Sequence, residues 1–179
     1  GAALDGVAFD VGTLAGVRRG VAQIAELTPQ LHVLVNNAGV FATERTLTAD
    51  QIELTFAVDY LGPFLLAELL APTLEASAAG GPPSRVIDVS SVAHTRGRIH
   101  LDDLQLDASW TGYAAYAQAK LALVMHAITF AEQHDPAKLV AYSLHPGVIE
   151  TKLLRTGFGP VRGAGVDAGA HAIVRLAAA

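Results

Sequence analysis

The sequence predicts an α/β protein with a doubly wound parallel sheet. Two observations carry this: apolar strand-like runs alternate with helical periodicity along the chain, and polar or Gly-containing turns follow those runs directly. Such alternation is the pattern of a parallel sheet covered by helices on both faces. Ligands of such sheets sit beyond the C-terminal ends of the strands.

Taken in order, Leu4–Val11 reads as a short buried strand ending at Asp10. Gly12-Thr13 then opens a helix to about Leu27, with Val17, Val21, Ile24 and Leu27 on one stripe and Pro29 marking its end. His32–Val35 is a continuous apolar run, as expected of a parallel strand covered on both faces. A long helical region is expected from Thr48 to about Ala76, capped by Thr48 or Asp50. Gly62-Pro63 interrupts it, and an interior Pro removes a backbone hydrogen bond, so a kink is expected there. The composition of 78–83 marks a loop. The remaining elements are a strand at Arg85–Ser90, a helix from Tyr113 to about His134, a strand at Leu139–Leu144 and a helix from about Val166 to Leu176. No linker divides the chain, so 1–179 is read as one domain.

The chemistry concentrates in Tyr113-Ala-Ala-Tyr116-Ala-Gln-Ala-Lys120, an Ala-rich helical stretch. Positions four apart share one helix face, so Tyr116 and Lys120 lie about a turn apart. A free Tyr has a pKa of roughly 10, and a neighbouring cation is expected to lower it. Ser90-Ser91 ends the strand before this helix and offers a hydroxyl to hold a substrate oxygen. Asp10, Asn37, Ser91 and Pro146-Gly147 all fall at strand C-termini, which groups them into one site. The stripe Leu65, Leu66, Leu69 and Leu70 belongs to the core or to a subunit interface.

The runs Val33-Leu-Val-Asn-Asn37-Ala-Gly39, Val89-Ser-Ser91, Tyr116-x-x-x-Lys120 and His145-Pro-Gly147-Val-Ile-Glu-Thr151 occur in the order and spacing of one family. The chain resembles the short-chain dehydrogenase/reductases over nearly its whole length. The tract 89–104 is especially similar to the retinol-dehydrogenase-like branch. The resemblance implies a Rossmann-type fold and hydride transfer between a nicotinamide cofactor, NAD or NADP, and an alcohol or carbonyl. It implies Tyr116 as general acid/base, Lys120 as its electrostatic partner and ribose ligand, and Ser91 as the group that orients the substrate oxygen. The cofactor would further meet Asp10 and Val11 on its adenine side and the backbone of Asn37-Ala38-Gly39 at a ribose, with the Asn37 side chain bracing the strand end. Pro146, Gly147, the backbone of Ile149 and the hydroxyl of Thr151 would meet the nicotinamide carboxamide.

Three departures from the family pattern stand out. Asp59 occupies a position where the family usually has Asn, whose carbonyl holds a relay water on the Lys; Asp59 is expected to keep the kink while offsetting part of the Lys120 charge. The 157–165 segment, expected to hold the substrate lid, is short and Gly-rich, so retinoid specificity is not carried over. No Gly-rich turn opening a helix precedes Val11. The fold is therefore expected to be incomplete at its N-terminus and at its C-terminus, and the residue that chooses NAD or NADP is not readable.

Composition excludes other classes. With no Cys there is no disulfide or Cys-ligated metal, and the seven His lack HxxxH or HExxH spacing, so no metal site is assigned. A formal charge of −5 with scattered Lys and Arg argues against nucleic acid. No uncharged apolar run reaches the ~18 residues of a membrane span, and Gly1–Asp5 has no signal-peptide features. The expected protein is cytoplasmic, a homo-oligomer when intact, acting on a small or apolar alcohol or carbonyl. Competing readings are a catalytically degenerate relative serving as a binding or scaffold protein, a truncated gene product without normal catalysis, and a nucleotide-sugar epimerase or dehydratase.

Overall fold

The computed structural model describes residues 4–179. Three parallel strands form the sheet in the order β1-β2-β3: β1 Val33–Asn36, β2 Ser84–Val89 and β3 Leu139–Leu144. Val33 lies opposite Arg85, and Ser84 opposite Leu139. The helices are α1 Leu14–Leu27, α2 Leu54–Phe56, α3 Gly62–Ser77, α4 Gly112–Gln133, α5 Lys152–Phe158 and α6 Val166–Ala178. One π-helical turn, Ala57–Leu61, joins α2 to α3, and a 3₁₀ turn, Val92–Arg96, follows β2. Connections between successive parallel strands run through α3 and through α4, as crossover geometry requires.

The core lies where α1, α3 and α4 meet the sheet. Leu70, Leu74, Val86, Phe130 and Leu139 are buried there, with Val21 and Ile24 of α1 packed against them. Val17, Val21 and Ile24 of the stripe predicted for α1 thus face the core while Leu27 is exposed; the helix start is set by Thr13, whose hydroxyl accepts the Gly16 N–H at 3.2 Å. One polar chain crosses this interior. Asn36 Nδ2 donates to Asp88 Oδ1 at 2.8 Å, while Asp88 Oδ2 lies 2.8 Å from His126 Nδ1. It ties β1, β2 and α4 together at buried positions, where an unpaired polar group would be costly.

Two expected elements differ. Leu4–Val11 is not a strand. A strand exists only where its backbone pairs with a neighbour, and among the described residues no chain runs beside it. Its apolar residues serve α1 instead: the Phe9 ring covers Gly20, where a Cβ would come within 2.5 Å of it. The long helix begins at Leu54 rather than near Thr48. Glu53 is the cap, its carboxylate accepting the Phe56 N–H at 2.7 Å and the Trp110 indole N–H at 3.2 Å. Asp50 instead accepts from Leu14 N–H at the start of α1. The continuous helical stretch Leu54–Ser77 is long and apolar enough to cross a membrane by length and composition alone. Its apolar residues Leu66, Leu70 and Leu74 are core residues here.

Candidate active site

Beyond the C-terminal ends of β2 and β3 lies a cavity of about 660 Å³. Its walls come from the β1 end (Asn37, Gly39), the turn after β2 (Ser91, Thr95, Arg96), α4 (Tyr113, Tyr116, Lys120), the loop after β3 (His145 to Thr151) and α5 (Leu153, Leu154, Phe158). Most of the residues singled out from the sequence therefore share one space. Val11 and Ala38 line a second, smaller hollow against Asn37. Asp10 lines neither: it is exposed, and its carboxylate accepts the Gly12 N–H at 2.9 Å.

Helix α4 starts at Thr111, whose hydroxyl accepts Ala114 N–H. That phase turns Tyr116 and Lys120 inward together, at 5% and 4% exposure. The Lys120 ammonium lies 3.2 Å from the Val89 carbonyl and 3.2 Å from Asp59 Oδ2, with the Tyr116 ring centroid at 5.6 Å. An ammonium has three N–H donors; the Val89 carbonyl takes one, which leaves donor capacity on the cavity wall. Of the serine pair, Ser90 is structural, donating to the Lys120 carbonyl at 2.8 Å. Ser91 lines the cavity; its oxygen accepts Ala93 N–H, which leaves its proton to donate.

Asp59 sits in the π turn, fully buried. Its Oδ1 accepts the Val40 N–H at 2.8 Å. Burial raises its pKa to about 6, against the opposing pull of Lys120 and the Val40 bond. Tyr116 does not behave as the sequence suggested. Burial drives the phenol up to about 12; the Ser91 hydroxyl draws it down, and the Asp59 charge raises it further. No lowering by Lys120 accompanies these effects, and its ammonium is paired with Asp59.

Other expectations are redistributed. The side chain that braces the strand end belongs to Asn36, not Asn37; Asn37 is exposed and lines the cavity. Successive strand residues face opposite ways, so the two Asn cannot share the role. The Thr151 hydroxyl caps α5, accepting Leu154 N–H at 3.3 Å. The loop 148–150 is pinned by Ala164, which donates to the Val148 carbonyl at 2.8 Å and accepts from Glu150 N–H at 2.9 Å. Gly147 bends this wall with φ +97°, a region open mainly to Gly. On the side where a lid was expected at 157–165, the cavity is lined mainly by α5, and Phe158 packs on Phe41, Tyr113 and Tyr116 at centroid distances of 5.4, 6.2 and 6.0 Å. Arg96, Thr95 and His145 also line the cavity and were missed. Their position after two strand ends was the available signal.

The parallel sheet with its strand-end cavity defines a Rossmann-type protein. The chain belongs to the short chain dehydrogenase family, whose sequence model matches residues 1–158. It is 42% identical over 129 residues to retinol dehydrogenase 12 of Bos taurus, covering 72% of this chain and 40% of that protein. Against human polyprenol dehydrogenase it is 37% identical over 157 residues, 86% of this chain and 47% of that one. The chain thus spans less than half the length of these curated relatives. In fold it matches the NADH-complexed 3-alpha-hydroxysteroid dehydrogenase of Pseudomonas sp. B-0831, with a TM-score of 0.77 at 22% identity, over 96% of this chain and 75% of that one.

Proposed function

We propose that this protein is an NAD(P)-dependent oxidoreductase that interconverts an alcohol and a carbonyl on a small or apolar substrate, with Tyr116 as general acid/base. The observation carrying this reading is the placement of a buried phenol beside Ser91 and one helical turn from Lys120, on the wall of a strand-end cavity. The residues that would hold the nicotinamide half of the cofactor are Gly147 and Ile149 after β3, with Lys120 beside Tyr116 on α4; all line the same cavity.

When bound, the nicotinamide supplies or accepts the hydride. Ser91 donates to the substrate oxygen and fixes its position. Tyr116, held protonated by its raised pKa, gives its proton to that oxygen in the reducing direction. Lys120 braces the phenol and offers an N–H to the ribose hydroxyls. General acid catalysis of this kind contributes roughly 10²–10⁴ in rate. In the full-length protein, Tyr116→Phe is expected to lower kcat by at least ~10²-fold with little change in cofactor affinity, since it removes a proton and almost no contact area. Near-normal turnover would end the assignment. Lys120→Ala should weaken both nucleotide binding and rate.

The Asp59–Lys120 pair favours a second reading, a family member that binds nucleotide without turning over substrate. Cofactor binding by the full-length protein, with no oxidation of any alcohol across a short- and long-chain series, would select it.

A further inference from the structure

The cavity wall is uneven in charge. The chain carries 17 Asp and Glu, yet none lines the cavity. The charged side chains that do are Lys120 and Arg96. Lys120 is matched by Asp59 within the protein. Arg96 forms no ion pair among the described residues and is exposed at the rim, at the end of the turn that begins with Ser91.

The other side of the space is apolar. Leu153, Leu154 and Phe158 of α5, with Val148 and Val161, form a greasy cover. His145 adds no second cation, because burial first, and His94 beside it second, hold its pKa below the usual imidazole value. One unmatched guanidinium at the mouth of an apolar slot suits a single-charged, planar acid. A carboxylate takes two parallel N–H bonds from one Arg, whereas a doubly charged phosphate would leave charge unmatched here.

We propose that the substrate is an amphipathic alcohol or carbonyl with a distal carboxylate, which Arg96 holds at the rim while the apolar chain lies under α5 and the reacting carbon meets Tyr116. This assignment rests on the dehydrogenase reading for its reacting end only; the carboxylate site stands on Arg96 and the cavity.

The test uses 9-hydroxynonanoate and its neutral methyl ester, titrated by calorimetry into the full-length protein saturated with reduced cofactor, so that the alcohol does not turn over. The acid is expected to bind about tenfold more tightly at low salt, with the preference shrinking as salt screens the exposed pair. Arg96→Gln should abolish the preference, and Arg96→Lys should restore part of it. Equal affinities in the wild type, no binding of the acid, or an Arg96→Gln protein that loses cofactor affinity but keeps the acid preference would overturn the proposal. Oxidation assays with oxidised cofactor then separate the two readings. An acid preference without turnover of this or any alcohol of the short- and long-chain series leaves the carboxylate site standing and removes the dehydrogenase.

Discussion

Asp59 sets the electrical balance of the site. It holds Lys120 at 3.2 Å and is itself pushed up to about 6 by burial, so above that pH it is ionised and its charge helps hold Tyr116 near 12. A phenol with so high a pKa stays almost wholly protonated at neutral pH, so in the proposed reaction it is ready to donate a proton and seldom ready to accept one. Asp59→Asn removes the anion. The phenolate then forms more easily beside an uncompensated Lys120. In that variant the alkaline limb of carbonyl reduction, which reports loss of the phenol proton, is expected at lower pH, while alcohol oxidation near pH 8 should speed up. Superimposable pH–rate profiles for the two proteins would show that Asp59 is not coupled to Tyr116. At this scale the sequence was legible in residue type and less so in direction. It marked Asp59 as unusual and placed it near Lys120. Whether Asn36 or Asn37 faces inward depends on strand phase, and the Tyr116 pKa depends on burial that only the folded chain supplies.

Among the elements, α5 contributes the apolar wall of the cavity. Only its last two residues fall within the Gly-rich segment 157–165, and the sequence assigns no helix over Lys152–Thr156; Gly157 serves close packing, since a Cβ there would come within 2.6 Å of the Phe41 ring. The helix thereby lies flat enough for Phe158 to reach Tyr116. Phe158→Ala opens that contact. The KM for long apolar alcohols is expected to rise about tenfold while kcat for short ones stays within about twofold, because the lost term is mainly buried apolar area. A parallel loss of kcat across all chain lengths would mean that Phe158 positions Tyr116 rather than substrate. Helices α1 and α4 and the strands β2 and β3 were readable because apolar period and local caps agree there. The start of α2 was not: Glu53 is held by Trp110 and Gln105, partners more than fifty residues away.

Across the whole molecule, the sheet has β1 at one edge, paired to β2 alone. Val35 on that strand is 36% exposed. An apolar edge with free backbone donors and acceptors recruits further chains. Residues 1–179 made alone are therefore expected to associate, giving sizing profiles that shift to larger species with concentration, and a broad melt. A sharp melt with a concentration-independent monomer would show that the segment before α1 shields the edge in solution. That segment also marks what sequence reading missed at this scale. Leu4–Val11 has the composition of a strand, but becoming one requires a partner, which is a property of the assembly and not of those eight residues.

The π turn at 57–61 can be understood as a gear change in a screw. An α-helix advances about 100° per residue, so one additional residue in a single turn puts the thread before it out of step with the thread after it. The helix serves two masters that need different phases: Asp59 must face Val40 and Lys120, while Leu66, Leu70 and Leu74 must face the sheet. The slip between them lets one continuous rod meet both demands. It follows that this span is sensitive to length more than to identity. A different side chain at 59 changes the chemistry locally, but removing any one of the other four residues of Ala57–Leu61 would restore the even thread, swing the carboxylate away from the lysine, and leave no point substitution able to bring it back.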